Sequence, residues 1–144
     1  MRSGGLPWIV RCMIRTLLAV TLAAVLTPTA AQAATLTRDA GGVLTFTAAP
    51  GATNHVGLQS TDEPGGVLFY TSGGDPMTVP AGCTEDAMYG AEVVHCAPAT
   101  AIRVDLGDGD DSAYTTAEIG VPMTLAGGAG SDQLQGDKGV DTLV

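Results

Sequence analysis

The chain has 144 residues, which is enough for one domain and too few for two large ones. Six basic residues against 15 acidic ones give a net charge of −9. A chain without a basic patch is a poor candidate for nucleic-acid binding. Twenty glycines and only six aromatic residues argue against a large aromatic-lined ligand pocket. An acidic, glycine-rich chain is better suited to binding cations.

The N-terminal 33 residues predict a secretory signal peptide. Arg2, Arg11 and Arg15 precede an uncharged apolar run at 16–26, and 31–33 reads Ala-Gln-Ala, a typical cleavage site. The apolar run has 11 residues, whereas a membrane-spanning helix needs roughly 20. We therefore expect a secreted, extracellular mature chain of residues 34–144, with no membrane span and a net charge of −12.

Two cysteines, Cys83 and Cys96, remain in the mature chain. Export places them in an oxidising compartment, where such a pair most simply forms a disulfide. A redox or zinc site is the less favoured alternative, because the spacing is not C-x-x-C and neither histidine has a second ligand at zinc spacing. Closing this short loop is expected to stabilise the fold by about 3 kcal/mol.

Short β-type runs separated by Gly- and Pro-rich turns recur along the mature chain. Within 43–48, Leu44 and Phe46 alternate with more polar positions, a pattern typical of a half-buried strand. The runs predict an all-β fold, and only 81–91 could form a helical turn. The predicted strands are 35–38, 43–48, 56–59, 67–71, 77–79, 93–96, 102–106 and 121–125.

The composition changes near residue 99. Before this point the sequence is mixed, and either a sandwich or a solenoid would suit its spacing. From 105 to 144 there are eight acidic residues against one lysine, and glycine and aspartate dominate the turns. We therefore expect a β-rich N-terminal segment at 34–98 and a repeat segment at 99–144.

A nonapeptide repeat lies in this second segment. Residues 127–135 (GGAGSDQLQ) fit G-G-x-G-x-D-x-U-x, where U is apolar, at every defined position. Residues 136–144 (GDKGVDTLV) follow without a gap and depart only at the second position, Asp137. A third copy at 106–114 (LGDGDDSAY) begins with leucine and has Ala113 at the apolar position. The shared phase of Ala113, Leu134 and Leu143 argues against a flexible Gly/Asp linker.

This repeat carries the chemistry of a calcium site. Glycine at positions 1, 2 and 4 allows positive φ and turns carbonyl oxygens inward, and the aspartate at position 6 supplies a carboxylate. Calcium takes 6–8 oxygen ligands of these kinds. Acidic turns repel one another without metal, so we expect calcium binding to contribute to folding. The candidate metal-binding residues are Asp108, Asp110, Asp111, Gly127, Gly128, Gly130, Asp132, Gly136, Asp137, Gly139 and Asp141.

On these motifs the C-terminal 40 residues resemble the hemolysin-type (RTX) calcium-binding repeats. The wider chain is similar to secreted calcium-binding proteins of actinobacterial type, with its leader, its cysteine pair and L-G-D-G-D-D at 106–111. The resemblance implies a short-strand β-solenoid, a parallel β-roll at the C-terminal side, with calcium between turns of repeats two apart on the same side. It assigns Asp111, Asp132 and Asp141 as carboxylate ligands, with carbonyls of 127–130 and 136–139.

Two features depart from the RTX toxins and proteases. An N-terminal leader in place of a C-terminal secretion signal argues against a toxin. The sequence stops at the end of a repeat, so we expect a chain truncated at its C-terminus, with further repeats in its relatives.

The function we predict is that of a secreted, non-enzymatic protein that binds Ca²⁺ and folds on binding it. One alternative is a cell-surface adhesin or matrix protein that calcium merely rigidifies. Another is a fragment of a larger secreted RTX enzyme, although 34–98 is short and contains neither H-E-x-x-H nor G-x-S-x-G. An EF-hand starting at Asp108 is excluded because its position 12 is Ile119. The sequence predicts no catalytic residue and defines no protein partner.

Overall fold

The computed structural model describes residues 33–72, 77–88 and 91–144. The predicted signal peptide at 1–33 lies outside these residues, apart from Ala33. The described chain is all-β, as predicted, and forms two six-stranded mixed sheets. Within these ranges no helix is long and apolar enough to span a membrane. The strands are β1 (Ala34–Arg38), β2 (Val43–Thr47), β3 (His55–Ser60), β4 (Val67–Thr71), β5 (Met77–Thr78), β6 (Cys83–Met88), β7 (Ala91–Cys96), β8 (Ala101–Asp105), β9 (Ser112–Thr115), β10 (Met123–Ala126), β11 (Gln133–Gln135) and β12 (Asp141–Leu143).

The sheets combine antiparallel and parallel pairs. The first has the order β12-β10-β8-β2-β1-β5, and the second has the order β11-β9-β3-β4-β7-β6. The antiparallel pairs, such as β1 with β2 and β3 with β4, join strands from the N-terminal segment. In contrast, β8, β10 and β12 add in parallel to β2, while β9 and β11 add in parallel to β3.

Alternating side chains of both sheets form one hydrophobic core. Leu44 and Phe46 are buried as predicted, whereas the positions between them are less buried. Phe46 stands beside Val104 of β8, so residues on both sides of the composition change share a sheet and a core cluster. Strands from both sides of the composition change near residue 99 therefore lie side by side in each sheet.

Each of the eight predicted runs contains or overlaps a strand, whereas β6, β9, β11 and β12 lie outside those runs. The expectation of a helical turn within 81–91 is wrong, because residues 83–88 pair antiparallel with β7. Thr84, Glu85 and Asp86 lack the apolar alternation by which strands are recognised. They form the exposed edge of the second sheet, where a strand has no buried face to specify it.

The predicted disulfide partners face each other across this edge. Cys83 is the register partner of Cys96, and their sulfur atoms are 1.99 Å apart. The bond therefore ties the edge strand β6 to β7 at the end of the strand pair.

Replacing both cysteines with alanine should lower the free energy of unfolding by about 3 kcal/mol, since the 13-residue separation closes a short loop in the unfolded chain. Urea denaturation under non-reducing conditions measures the loss. Wild-type protein treated with a reductant should show the same shift. An unchanged urea midpoint in both would contradict the prediction.

Two tyrosines flank a glycine on the outer side of the second sheet. Gly57 pairs with Tyr70 on one side and Tyr114 on the other, and a methyl group at Gly57 would lie 1.9 Å from Tyr70 Cζ. The two rings meet edge to face with centroids 5.8 Å apart. Burial, together with the neighbouring Tyr114 hydroxyl, raises the pKa of Tyr70 from 10.0 to about 12.

The raised pKa of Tyr70 predicts a loss of stability at alkaline pH. The native state holds the phenolic proton more tightly than the unfolded chain does, so the stabilisation is complete below pH 10 and falls as pH rises towards 12. Urea unfolding at several values between pH 9 and 12 should show this decline in wild type and less of it in Tyr70→Phe. The same slope in both proteins would assign the decline to other groups.

Candidate metal centre

Three turns that lead from the first sheet to the second stack on one side of the molecule. Turn A (49–54) joins β2 to β3, turn B (106–111) joins β8 to β9, and turn C (127–132) joins β10 to β11. The strands that enter these turns are parallel neighbours, and so are the strands that leave them. Turn B therefore lies between turns A and C.

The last repeat turns in the opposite direction. Turn D (136–140) leads from β11 back to β12, and so lies on the other side, next to the 116–122 connection. The predicted metal-binding residues thus fall into two groups. Asp108, Asp110, Asp111, Gly127, Gly128, Gly130 and Asp132 belong to turns B and C, whereas Gly136, Asp137, Gly139 and Asp141 belong to turn D or begin the strand after it.

Glycines at repeat positions 2 and 4 let turn C lie directly on turn B. Gly128 and Gly130 have φ of 91° and 144°, as the motif predicts. A methyl group at Gly130 would lie 1.7 Å from the Gly109 carbonyl oxygen. Ala129 N donates to Gly107 O at 2.8 Å, and Gly109 N donates to Ala129 O at 2.9 Å. The two backbones are in contact, with no room for a side chain between them.

The expectation of positive φ is wrong for Gly127, Gly136 and Gly139. Gly127 and Gly136 are needed for space instead. A methyl group at Gly127 would lie 2.5 Å from Asp132 Oδ2, and one at Gly136 would lie 2.2 Å from Asp141 Oδ2. The sixth-position carboxylate therefore folds back over the first residue of its own turn.

Two of the three acidic residues of turn B accept hydrogen bonds from backbone amides of turn A. Asp108 Oδ1 accepts a hydrogen bond from Gly51 N at 2.8 Å, and Asp111 Oδ1 accepts one from Asn54 N at 2.7 Å. Both bonds join equal positions of the two turns, the third and the sixth. The sequence analysis did not connect turn A with the repeat, because turn A contains no acidic residue and lies 57 residues before turn B.

The same kind of bond joins turns B and C. Asp132 Oδ1 accepts from Asp111 N at 3.0 Å, and Asp110 Oδ1 accepts from Ser131 N at 2.9 Å. These bonds again join equal positions, the sixth and the fifth. One oxygen of each of these two carboxylates is therefore engaged with a neighbouring turn.

Asp111 has one carboxylate oxygen left over. Its side chain is 2% exposed, and Oδ2 is buried without a hydrogen-bond partner. An unpaired buried carboxylate oxygen is costly, and a bound ion or water is one explanation for it. On the other side, Asp141 Oδ1 is also buried without a partner. Each position thus has one carboxylate oxygen without a hydrogen-bond partner beside a glycine-rich turn, and such oxygens are ligands that calcium prefers.

Both carboxylate oxygens of Asp137, the departure from the repeat pattern, accept a backbone hydrogen bond. Its Oδ2 accepts from Ile119 N at 2.7 Å, and its Oδ1 accepts from Gly139 N. Asp137 therefore holds turn D against the 116–122 connection, and each of its carboxylate oxygens already accepts one hydrogen bond.

Within the described ranges, no three His, Cys, Asp or Glu side chains converge on one point as a metal-binding group. A calcium ion at turns B and C would therefore depend on main-chain carbonyls as well as on carboxylates. Calcium accepts such mixed oxygen ligands.

Comparisons with protein-family models, curated proteins and solved structures find no match to this chain. The likeness to RTX repeats consequently rests on the sequence pattern described above.

Substitution of Gly130 by alanine should destabilise the protein by about 3 kcal/mol, since strain at positive φ adds to a clash with the backbone of turn B. Gly120 is the matched control, with φ of 81° and no atom within 4 Å of an added methyl group. Gly120→Ala should cost about 1 kcal/mol, from backbone strain alone. Urea unfolding measures both losses, and equal losses would argue against close stacking of the two turns.

Proposed function

We propose that this chain is a secreted, non-enzymatic calcium-binding protein whose stacked Gly/Asp turns bind Ca²⁺ between neighbouring turns. The observation that carries the proposal is the Asp111 carboxylate, which is buried within the stack with Oδ2 unpartnered. Secretion rests on the predicted leader at 1–33.

We further propose that the repeat segment is a parallel β-roll. From β8 to β12, successive strands alternate between the two sheets, and each of the last three pairs in parallel with the strand two before it. The apolar repeat position supports this reading, because Leu134 is the register partner of Ala113, which in turn pairs with Val56.

The chain's own residues suggest how the ion would be held. On one side of the molecule, Asp111 and Asp132 would supply carboxylate oxygens, together with carbonyls of turns B and C. At a separate position on the other side, Asp141 would supply a carboxylate oxygen. Calcium would supply positive charge between carboxylates that lack it, since the one basic residue from 105 to 144 is Lys138, in turn D. Binding of this kind adds directly to folding stability.

Titration of the purified full chain from EDTA into millimolar calcium tests the proposal. Extracellular calcium modules bind at roughly 0.1–1 mM, so about 10 mM calcium should stabilise the fold by about 1.4–2.7 kcal/mol. The rise in Tm and the β-type circular dichroism signal report the effect. Asp111→Asn should weaken calcium binding at least about tenfold, because it removes the charge but keeps an acceptor for Asn54 N.

Asp39→Asn is the matched control. Asp39 Oδ1 also accepts backbone hydrogen bonds in a turn, from Gly41 N at 2.8 Å and Val43 N at 2.9 Å, but it lies outside the stacked turns. This variant should keep the full calcium response, and magnesium should not replace calcium. An equal response in Asp111→Asn, or no response and no binding heat in wild type, would overturn the proposal.

A further inference from the structure

Asn54 begins the column of residues at the sixth turn position. The column continues through Asp111 to Asp132, as the parallel register of the residues that follow them shows: His55 pairs with Ser112, and Ser112 pairs with Gln133. Asn54 is the only asparagine of the chain, and it is buried at 6% exposure. A neutral amide thus occupies the position that an acidic residue holds in turns B and C.

Asn54 presents two hydrogen-bond donors to one oxygen of Asp111. Its backbone N donates to Asp111 Oδ1 at 2.7 Å, and its side-chain Nδ2 donates to the same oxygen at 3.2 Å. The Nδ2 group also donates to Ala52 O at 3.0 Å, which fixes the orientation of the amide. Asp111 Oδ1 is therefore fully engaged by turn A, and the unpartnered oxygen is Oδ2.

The two intervals in the stack differ in charge as a result. Between turns A and B, carboxylates of Asp108 and Asp111 meet only neutral donors, because turn A (APGATN) has no acidic residue. Between turns B and C, Asp111 and Asp132 lie at equal positions, and both carry a carboxylate. Only the pair of turns B and C therefore has a carboxylate at the sixth position of both turns.

We infer that Asn54 is a positioning residue that lets turn A dock on turn B without calcium and directs Asp111 Oδ2 to the cation. The second part of this inference, that Asp111 Oδ2 is directed to the cation, rests on the proposed function. The strands that flank turn A then form a metal-independent base, on which the calcium-dependent turns assemble.

Asn54→Asp tests the inference in the full chain. The substitution replaces a donor with a carboxylate next to Asp111 Oδ1, so the two charges repel unless a cation lies between them. In EDTA, the Tm should fall by about 5–10 °C relative to wild type. In about 10 mM calcium, at least half of that loss should be recovered, which a purely structural defect would not show.

Two further variants serve as controls. Gln59→Glu makes the same amide-to-carboxylate change at an exposed position of β3, the strand that follows turn A, and its Tm in EDTA should stay close to that of wild type. Asn54→Ser keeps a neutral donor, and it should lose much less stability in EDTA than Asn54→Asp. If Asn54→Asp does not fold under either condition, Asn54→Ser decides: a Tm near wild type supports the inference, and a large loss overturns it.

The remaining outcomes separate this inference from the proposed function. If wild type responds to calcium but Asn54→Asp behaves like Gln59→Glu, Asn54 has no positioning role and only the inference fails. An equal loss of Tm with and without calcium in Asn54→Asp also overturns it. If wild type itself shows no calcium response, the proposed function fails, whatever the variants do.

Discussion

The repeat segment depends on carboxylates that accept hydrogen bonds from backbone amides of a neighbouring turn. Its strands have three to five residues, and so few ladder bonds leave the register of such strands weakly fixed. The bonds from Gly51, Asn54 and Asp111 amides join equal turn positions. A shift of one residue would break them together. Charge-assisted bonds of this type are stronger than neutral ones, and they set the register that the short strands cannot set.

The same arrangement concentrates negative charge. Every aspartate that fixes a turn also adds a charge beside the next one, and the eight acidic residues from 105 to 144 face one lysine. Register and repulsion therefore arise from the same side chains. A divalent cation would relieve the repulsion without disturbing the hydrogen bonds from the amides, because these bonds occupy Oδ1 of Asp111 and leave Oδ2 unpartnered. The proposed calcium dependence follows because one oxygen of the Asp111 carboxylate accepts hydrogen bonds and the other has no partner.

Local sequence patterns predicted the all-β fold and most of its strands, because period and turn chemistry are local properties. Ala113 is buried and Leu134 is half-buried, as their phase predicts, whereas Leu143, in the edge strand β12, is 50% exposed. The hydrogen bonds from backbone amides to the carboxylates could not be predicted, since they depend on which turns become neighbours. Turn A shows the difficulty most clearly. Its relation to turn B is visible only in the folded chain, because Asn54 and Asp111 lie 57 positions apart in sequence.

The residues between turns A and B set an order of assembly. Turns B and C are 21 residues apart in sequence, whereas turns A and B are 57 apart. Closing the longer loop, between turns A and B, costs more chain entropy. The antiparallel pairs β3–β4 and β4–β7 reduce that cost, because they bring residue 100 back beside Gly42. The slow step of folding should accordingly be the building of this non-local meander. Each repeat that is added afterwards closes only a short loop, and its strand pairs with a sheet edge that has already formed.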